Sequence, residues 1–150
     1  AVQVDYPALL DLPAPSLRIC PPETVVAEKA EAMVHLGSLN SRMKDFYDIW
    51  RMSQQFNFER TDLCEALRRT FGKRETAVIE FDELIAELLD SETLRMHWTA
   101  FLSKSTISGP ETFPEVLALI GKFLSPVFSS INNNKALSQK WVPPGPWRNN

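Results

Sequence analysis

Residues 22–50, PETVVAEKAEAMVHLGSLNSRMKDFYDIW, contain two amphipathic segments separated by a short polar link. Thr24 is placed to cap a first helix that runs to about residue 36, and Gly37 follows as a residue that tolerates the left-handed conformation after a helix. A second helix is predicted over residues 41–55, capped by Asn40 or Ser41. Because the link is short, we expect the two helices to form an antiparallel hairpin.

Further helix signals follow toward the C-terminus, and strand signals precede residue 22. Four further helices are predicted to open at residues 61, 81, 91 and 112, and Pro126 should kink or end the last of them. The N-terminal segments VQVDY (2–6) and LRIC (17–20) are typical of short strands. The sequence therefore predicts a mainly α fold, a bundle of five to six helices with a small N-terminal β remnant.

Three regions are predicted. Residues 1–22 would be the remnant of a sheet and a linker, residues 23–131 a helical domain, and residues 132–150 a polar, Pro-rich arm that is extended or flexible. Trp141 and Trp147 are unusual in such an arm, and we expect them to dock on the body or on a neighbour.

Composition excludes several classes of protein. The 150 residues correspond to one domain, and the net charge of −3 excludes a global basic field for nucleic acid. Two cysteines are too few for a disulfide framework, and Cys64 is expected to be a buried apolar residue. No run of about 18 apolar residues is present, so we expect a cytoplasmic protein with no membrane contact.

A charged stripe marks the second helix. Arg42, Asp45 and Asp48 are three residues apart and share one face, and Lys44 can pair with Asp48. One interpretation is a solvated, salt-bridged face. The other is a site in which the carboxylates position a nucleotide complex or a nucleophile and Arg42 binds phosphate.

Lys29 projects near the apolar face of the first helix. It either extends its charge to solvent along that face or reaches across the hairpin to the carboxylate stripe. In the second case it could contact triphosphate oxygens as a point charge. Composition does not distinguish the two.

The segments PETVVAEKAEA (22–32) and NSRMKDFYDI (40–49) resemble the central signature of the AbiEii/AbiGii nucleotidyltransferase-toxin family, which is similar to DNA polymerase β-like enzymes of α+β fold. The resemblance extends more weakly through WTAFL (98–102) and FPEVL (113–117). It implies that Lys29 contacts the nucleotide's phosphates and that Asp45 and Asp48 form the fourth-motif Asp-x-x-Asp. Arg42 matches the basic residue before that motif, and Lys44 would also lie at the nucleotide.

The sequence departs from the family at the first motif, a Gly-Gly/Ser turn, and at the second, an acidic pair. Such a pair holds Mg²⁺ in polymerase-β-type sites, so no metal ligand is assigned here, and Mg²⁺ would be bound only in a longer parent protein. Asp5 is a candidate for the third carboxylate of that fold.

The resemblance implies an enzyme that transfers a nucleotide from an NTP to an acceptor such as tRNA, partnered with a cognate antitoxin. This chain would be its C-terminal portion, inactive alone, and able to form a homodimer through its first 20 residues. The alternative is a helical interaction module that binds an antitoxin or RNA without catalysis. In that case the charged stripe is a structural ion-pair network.

Overall fold

A computed structural model describes residues 20–135 and 137–150. In this part of the chain six α-helices surround a common core, and a three-stranded antiparallel sheet closes one end. The predicted mainly α fold is confirmed. The predicted strands VQVDY and residues 17–19 of LRIC lie outside the described residues, as does Asp5.

The helix bounds follow local signals. The helices are α1 Pro22–Leu36, α2 Met43–Gln55, α3 Arg60–Lys73, α4 Phe81–Leu89, α5 Glu92–Lys104 and α6 Phe113–Asn132. Pro22, rather than Thr24, opens α1, because proline is favoured at the first helical position, where no N–H bond is lost. Gly37 takes a φ of 53° and ends the helix as predicted.

The cap residue of α2 is Arg42, without a side-chain cap, and not the predicted Asn40 or Ser41. Asn40 shapes the turn before the helix: its side-chain oxygen accepts a 2.9 Å hydrogen bond from the backbone N–H of Arg42, and the residue is fully buried. This short turn brings α2 back along α1, with which it packs. The predicted helical hairpin is therefore present.

Helix α6 is the central helix of the core. Its buried face contacts α2, α3, α4 and α5. By length and composition alone α6 is long and apolar enough to cross a membrane, and here 44% of its apolar window is buried within the fold. Pro126 does not end it. Carbonyl oxygens on both sides of the proline accept side-chain hydrogen bonds, from Trp147 at Phe123 and from Cys64 at Val127.

The segment predicted as an extended or flexible arm instead contains a hairpin. Strands β2 Gln139–Trp141 and β3 Trp147–Asn149 pair with each other, and β2 also pairs with β1, Phe58–Glu59. Trp141 is 1% exposed and packs on Phe123. The alternative that these tryptophans dock on the body is the one the structure shows.

Candidate functional site

The α1–α2 hairpin brings Lys29 to the carboxylate stripe. Its Nζ lies 3.0 Å from Oδ2 of Asp48 and 3.4 Å from Oδ1 of Asp45. The two aspartates share one face of α2 because they are three residues apart. Of the two alternatives for Lys29, the reach across the hairpin is the one found.

The two carboxylates are buried. The side chains of Asp45 and Asp48 are 2% and 1% exposed, whereas that of Lys29 keeps 19% of its surface in contact with solvent. Two adjacent carboxylates in such a place require a cation, because burial of an unpaired charge is costly. The stripe is therefore not a solvated face, and Lys29 is its inner counter-ion.

Arg42 and Lys44 form the outer edge of the cluster. Arg42 Nη2 lies 3.4 Å from Asp45 Oδ1, and Lys44 Nζ lies 3.2 Å from Asp48 Oδ2. Their side chains are 67% and 44% exposed. Among the described residues three cations thus contact two anions, and the Arg42 and Lys44 side chains lie on the solvent side.

One oxygen of the cluster has no partner among the described residues. Asp45 Oδ2 is buried and accepts no hydrogen bond, and Nδ2 of the nearby buried Asn40 donates none. The sequence pattern gave no sign that Asn40 is buried, because its only local signal is that of a cap. Asp45 Oδ2 is an acceptor that a hydroxyl group could satisfy.

The cluster does not fit a magnesium ion. Mg²⁺ selects several oxygen ligands in octahedral geometry, but here the two carboxylates converge on an ammonium group. In the described ranges 20–135 and 137–150, no group of three or more His, Cys, Asp or Glu side chains is arranged to hold a metal. The acidic pair that would hold Mg²⁺ in related enzymes has no counterpart in this cluster.

Four basic residues lie near the end of α3, and their charge is partly neutralised: Arg68, Arg69, Lys73 and Arg74. Arg74 pairs with Glu28 and with Glu31, both on α1, and Arg69 Nη2 lies 4.0 Å from Glu65. The two pairs of Arg74 tie the end of α3 to α1, whereas the Arg69 contact lies within α3. They leave less positive charge for RNA than the sequence alone suggests.

Comparison with known families gives a match over most of the chain. Residues 1–119 match the family described as nucleotidyl transferase AbiEii toxin, type IV TA system. The matched range contains the whole Lys29 cluster and ends inside α6. No curated protein and no solved structure matches the chain significantly.

Proposed function

The chain belongs to the AbiEii nucleotidyl transferase toxin family of type IV toxin–antitoxin systems, and from this membership we propose that Lys29 binds the triphosphate of an NTP during nucleotide transfer. The observation that carries the proposal is the position of Lys29 Nζ, within 3.4 Å of two carboxylates and still partly exposed. An ammonium group held in this way is a pre-oriented point charge for phosphate oxygens.

Each neighbour has a role in the proposal. Asp45 and Asp48 fix the Lys29 ammonium, so that little side-chain freedom is lost when phosphate binds. The exposed guanidinium of Arg42 and the ammonium of Lys44 add positive charge on the solvent side. Asp45 Oδ2 is buried, so Asp45 acts in the proposal by orienting Lys29 and Arg42 and not by contact with the acceptor hydroxyl group.

In the proposed reaction the acceptor hydroxyl attacks the α-phosphorus of the NTP and pyrophosphate leaves. We place the metal-binding acids outside the Lys29 cluster, since its two carboxylates face a lysine. Residues 1–150 alone should therefore not incorporate nucleotide. The proposal extends to tRNA as the acceptor, a cognate antitoxin as the partner and a cytoplasmic location. A homodimer through residues 1–20 stays a prediction.

The test is nucleotide incorporation from an α-labelled NTP by the protein that also carries the family's acidic pair. Lys29→Gln should lower kcat/KM by roughly tenfold to a hundredfold, the size expected for loss of a charge-assisted contact. Lys29→Arg should retain more activity. Arg74→Gln is the control, because it removes the ion pairs that Glu28 and Glu31 of α1 make elsewhere, and it should leave kcat/KM within about threefold of the parent value.

Folding must be separated from binding, because Lys29→Gln also leaves two buried carboxylates unpaired. Activity is therefore compared at a temperature at which circular dichroism shows both variants folded. Normal kcat/KM in folded Lys29→Gln would contradict the assigned role.

A second candidate function is favoured by the burial of Asp45 and Asp48. Paired carboxylates packed beneath two helices are also what a structural ion-pair network would show. In that case the helical domain binds an antitoxin or RNA, and substitution of Lys29 changes stability without changing kcat/KM. Measurement of kcat/KM and of folding by circular dichroism for Lys29→Gln distinguishes the catalytic role from the structural one.

A further inference from the structure

Arg60 is a buried cation whose described partners are all neutral. The residue is 7% exposed. Its Nε donates to Ser130 Oγ at 3.0 Å, its Nη2 to the carbonyl oxygen of Pro126 at 2.7 Å, and its Nη1 to Oε1 of Gln139. No aspartate or glutamate in the described ranges contributes to the electrostatics of its guanidinium.

The position of Arg60 in α3 makes this charge more unusual. It is the first residue of the helix, where the helix dipole disfavours a cation. Burial lowers the pKa of the guanidinium, as expected for a charge removed from water. The local fold therefore retains a positive charge that neither the helix nor a carboxylate compensates.

Arg60 lines an open surface cavity of about 620 Å³ between α4, α6 and the C-terminal hairpin. Lys122 and Asp82 are exposed side chains that also line it, whereas Leu117 and Trp147 provide apolar surface. This size and this mixture of apolar surface with a few polar groups are typical of small-molecule sites.

Trp147 is held in a fixed orientation at the cavity. Its ring lies parallel to that of Phe123, with centroids 6.0 Å apart and an interplanar angle of 3°. Its Nε1 donates a 2.8 Å hydrogen bond to the carbonyl oxygen of Phe123. A fixed indole that lines a cavity is a platform on which a flat heterocycle can stack.

We propose that this cavity binds a mononucleotide, with its base against Trp147 and its phosphate at Arg60 and Lys122. A guanidinium has five N–H donors, and three of Arg60's are used within the protein, so two remain for phosphate oxygens. The carboxylate of Asp82, already an acceptor for Ser125 Oγ at 2.6 Å, is placed to accept from a ribose hydroxyl.

This site is separate from the Lys29 cluster and does not depend on the proposed function. Lys29, Asp45 and Asp48 do not line the cavity. Lys122 and Trp147 lie beyond residue 119, where the family match ends. A mononucleotide at this place would thus be a second ligand of the chain.

The test is a titration of the 150-residue chain with adenosine 5′-monophosphate, inorganic phosphate and adenosine, followed through the indole N–H resonance of Trp147. That resonance is assigned by its loss in Trp147→Phe. Adenosine monophosphate should shift it saturably, and each of the other two probes should bind about tenfold more weakly, since each lacks one half of the contacts.

Lys122→Glu should weaken binding of adenosine monophosphate by about fivefold to tenfold, because it replaces an attractive charge at an exposed edge with a repulsive one. Lys104→Glu on α5 is the matched control, since it makes the same charge change at an exposed lysine that does not line the cavity. It should change binding less than about twofold.

Absence of a Trp147 shift at about 10 mM adenosine monophosphate would overturn the proposal, because binding weaker than this is not specific. Equal binding of inorganic phosphate, or equal effects of the two lysine variants, would also overturn it. Lys29→Arg should leave the Trp147 response unchanged, which separates this site from the one proposed for NTP.

Discussion

The indole N–H of Trp141 donates a 2.7 Å hydrogen bond to the backbone carbonyl of Ser53, across 88 positions of the chain. Ser53 lies in the last turn of α2, where carbonyl groups lack a helical partner. The hairpin tryptophan therefore satisfies the end of the helix that carries Asp45 and Asp48, and it connects the C-terminal hairpin with the candidate site.

Trp141→Phe should destabilise the protein by about 2–4 kcal/mol, because it removes buried volume and leaves the Ser53 carbonyl without its donor. The measurement is urea unfolding followed by circular dichroism. Trp50→Phe is the control: Trp50 is partly exposed on α2, and its loss should cost less than about 1.5 kcal/mol. Equal losses in both variants would contradict the role of the hydrogen bond.

Gly145 turns the chain between β2 and β3 at a φ of +93°, and a Cβ at this position would lie 2.3 Å from the Trp141 ring. Gly145→Ala should therefore lower the free energy of unfolding by at least about 2 kcal/mol, from backbone strain and displacement of the ring together.

Gly72→Ala should have the opposite effect on stability. No atom lies within 4 Å of a Cβ there and the residue is helical, so stability should rise by about 0.5–1 kcal/mol.

Lys29→Met should destabilise the helical hairpin by about 2–4 kcal/mol, somewhat less than a fully buried pair because Lys29 is partly exposed. In the double variant Lys29→Met/Asp48→Asn, one of the two carboxylates that lose their counter-ion is replaced by a neutral amide. It should be more stable than the single variant Lys29→Met. A double-mutant cycle in urea measures this coupling, and simple additivity of the two changes would show that the ion pair contributes nothing.

The thiol of Cys64 is a source of pH dependence. Burial raises its pKa, although the positive charges of Arg68 and Arg60 lower it in part. Above the ordinary thiol pKa of 9.0 the unfolded chain loses a proton that the folded chain retains, so the free energy of unfolding should fall as pH rises.

Cys64→Ala should remove this part of the fall in unfolding free energy with rising pH, even though the smaller side chain lowers stability at every pH. Unfolding by urea at pH values from 8 to 10, on both sides of the ordinary thiol pKa, measures the pH dependence of the free energy of unfolding for the two proteins. Parallel curves for the parent protein and Cys64→Ala would contradict the prediction.

Local signals predicted the helices well. Ser91 caps α5 by accepting from the N–H of Leu94, and Thr112 caps α6 by accepting from the N–H of Glu115, while its hydroxyl donates to the Glu115 carboxylate. These caps join residues that are three positions apart in the chain, so they can be predicted from the sequence. The contact of Lys29 with the stripe was one of two alternatives, because the short link made it possible but could not show which way the two helices face.

Contacts between residues that are far apart in the chain could not be predicted in this way. The partner of β2 is a two-residue strand about 80 positions earlier, and neither segment has the alternation of a long strand. Arg60 gave no signal because it looks like an ordinary flanking charge until α6 and the hairpin surround it. Its guanidinium donates to the carbonyl oxygen of Pro126 and so holds α6 to α3 at this turn, although the helical bond that the proline cannot make is the one to the carbonyl of Lys122.

The three-stranded sheet has a consequence for the order of events on the ribosome. Its first strand is made at residues 58–59 and its third at residues 147–149, and the strand that pairs with the first is made only at residues 139–141. Until then the aromatic rings of Phe58 and Phe123 lack the indole that covers them in the finished fold. A nascent chain that stalls before residue 139 would therefore expose an aggregation-prone aromatic surface, the kind of surface that chaperones recognise.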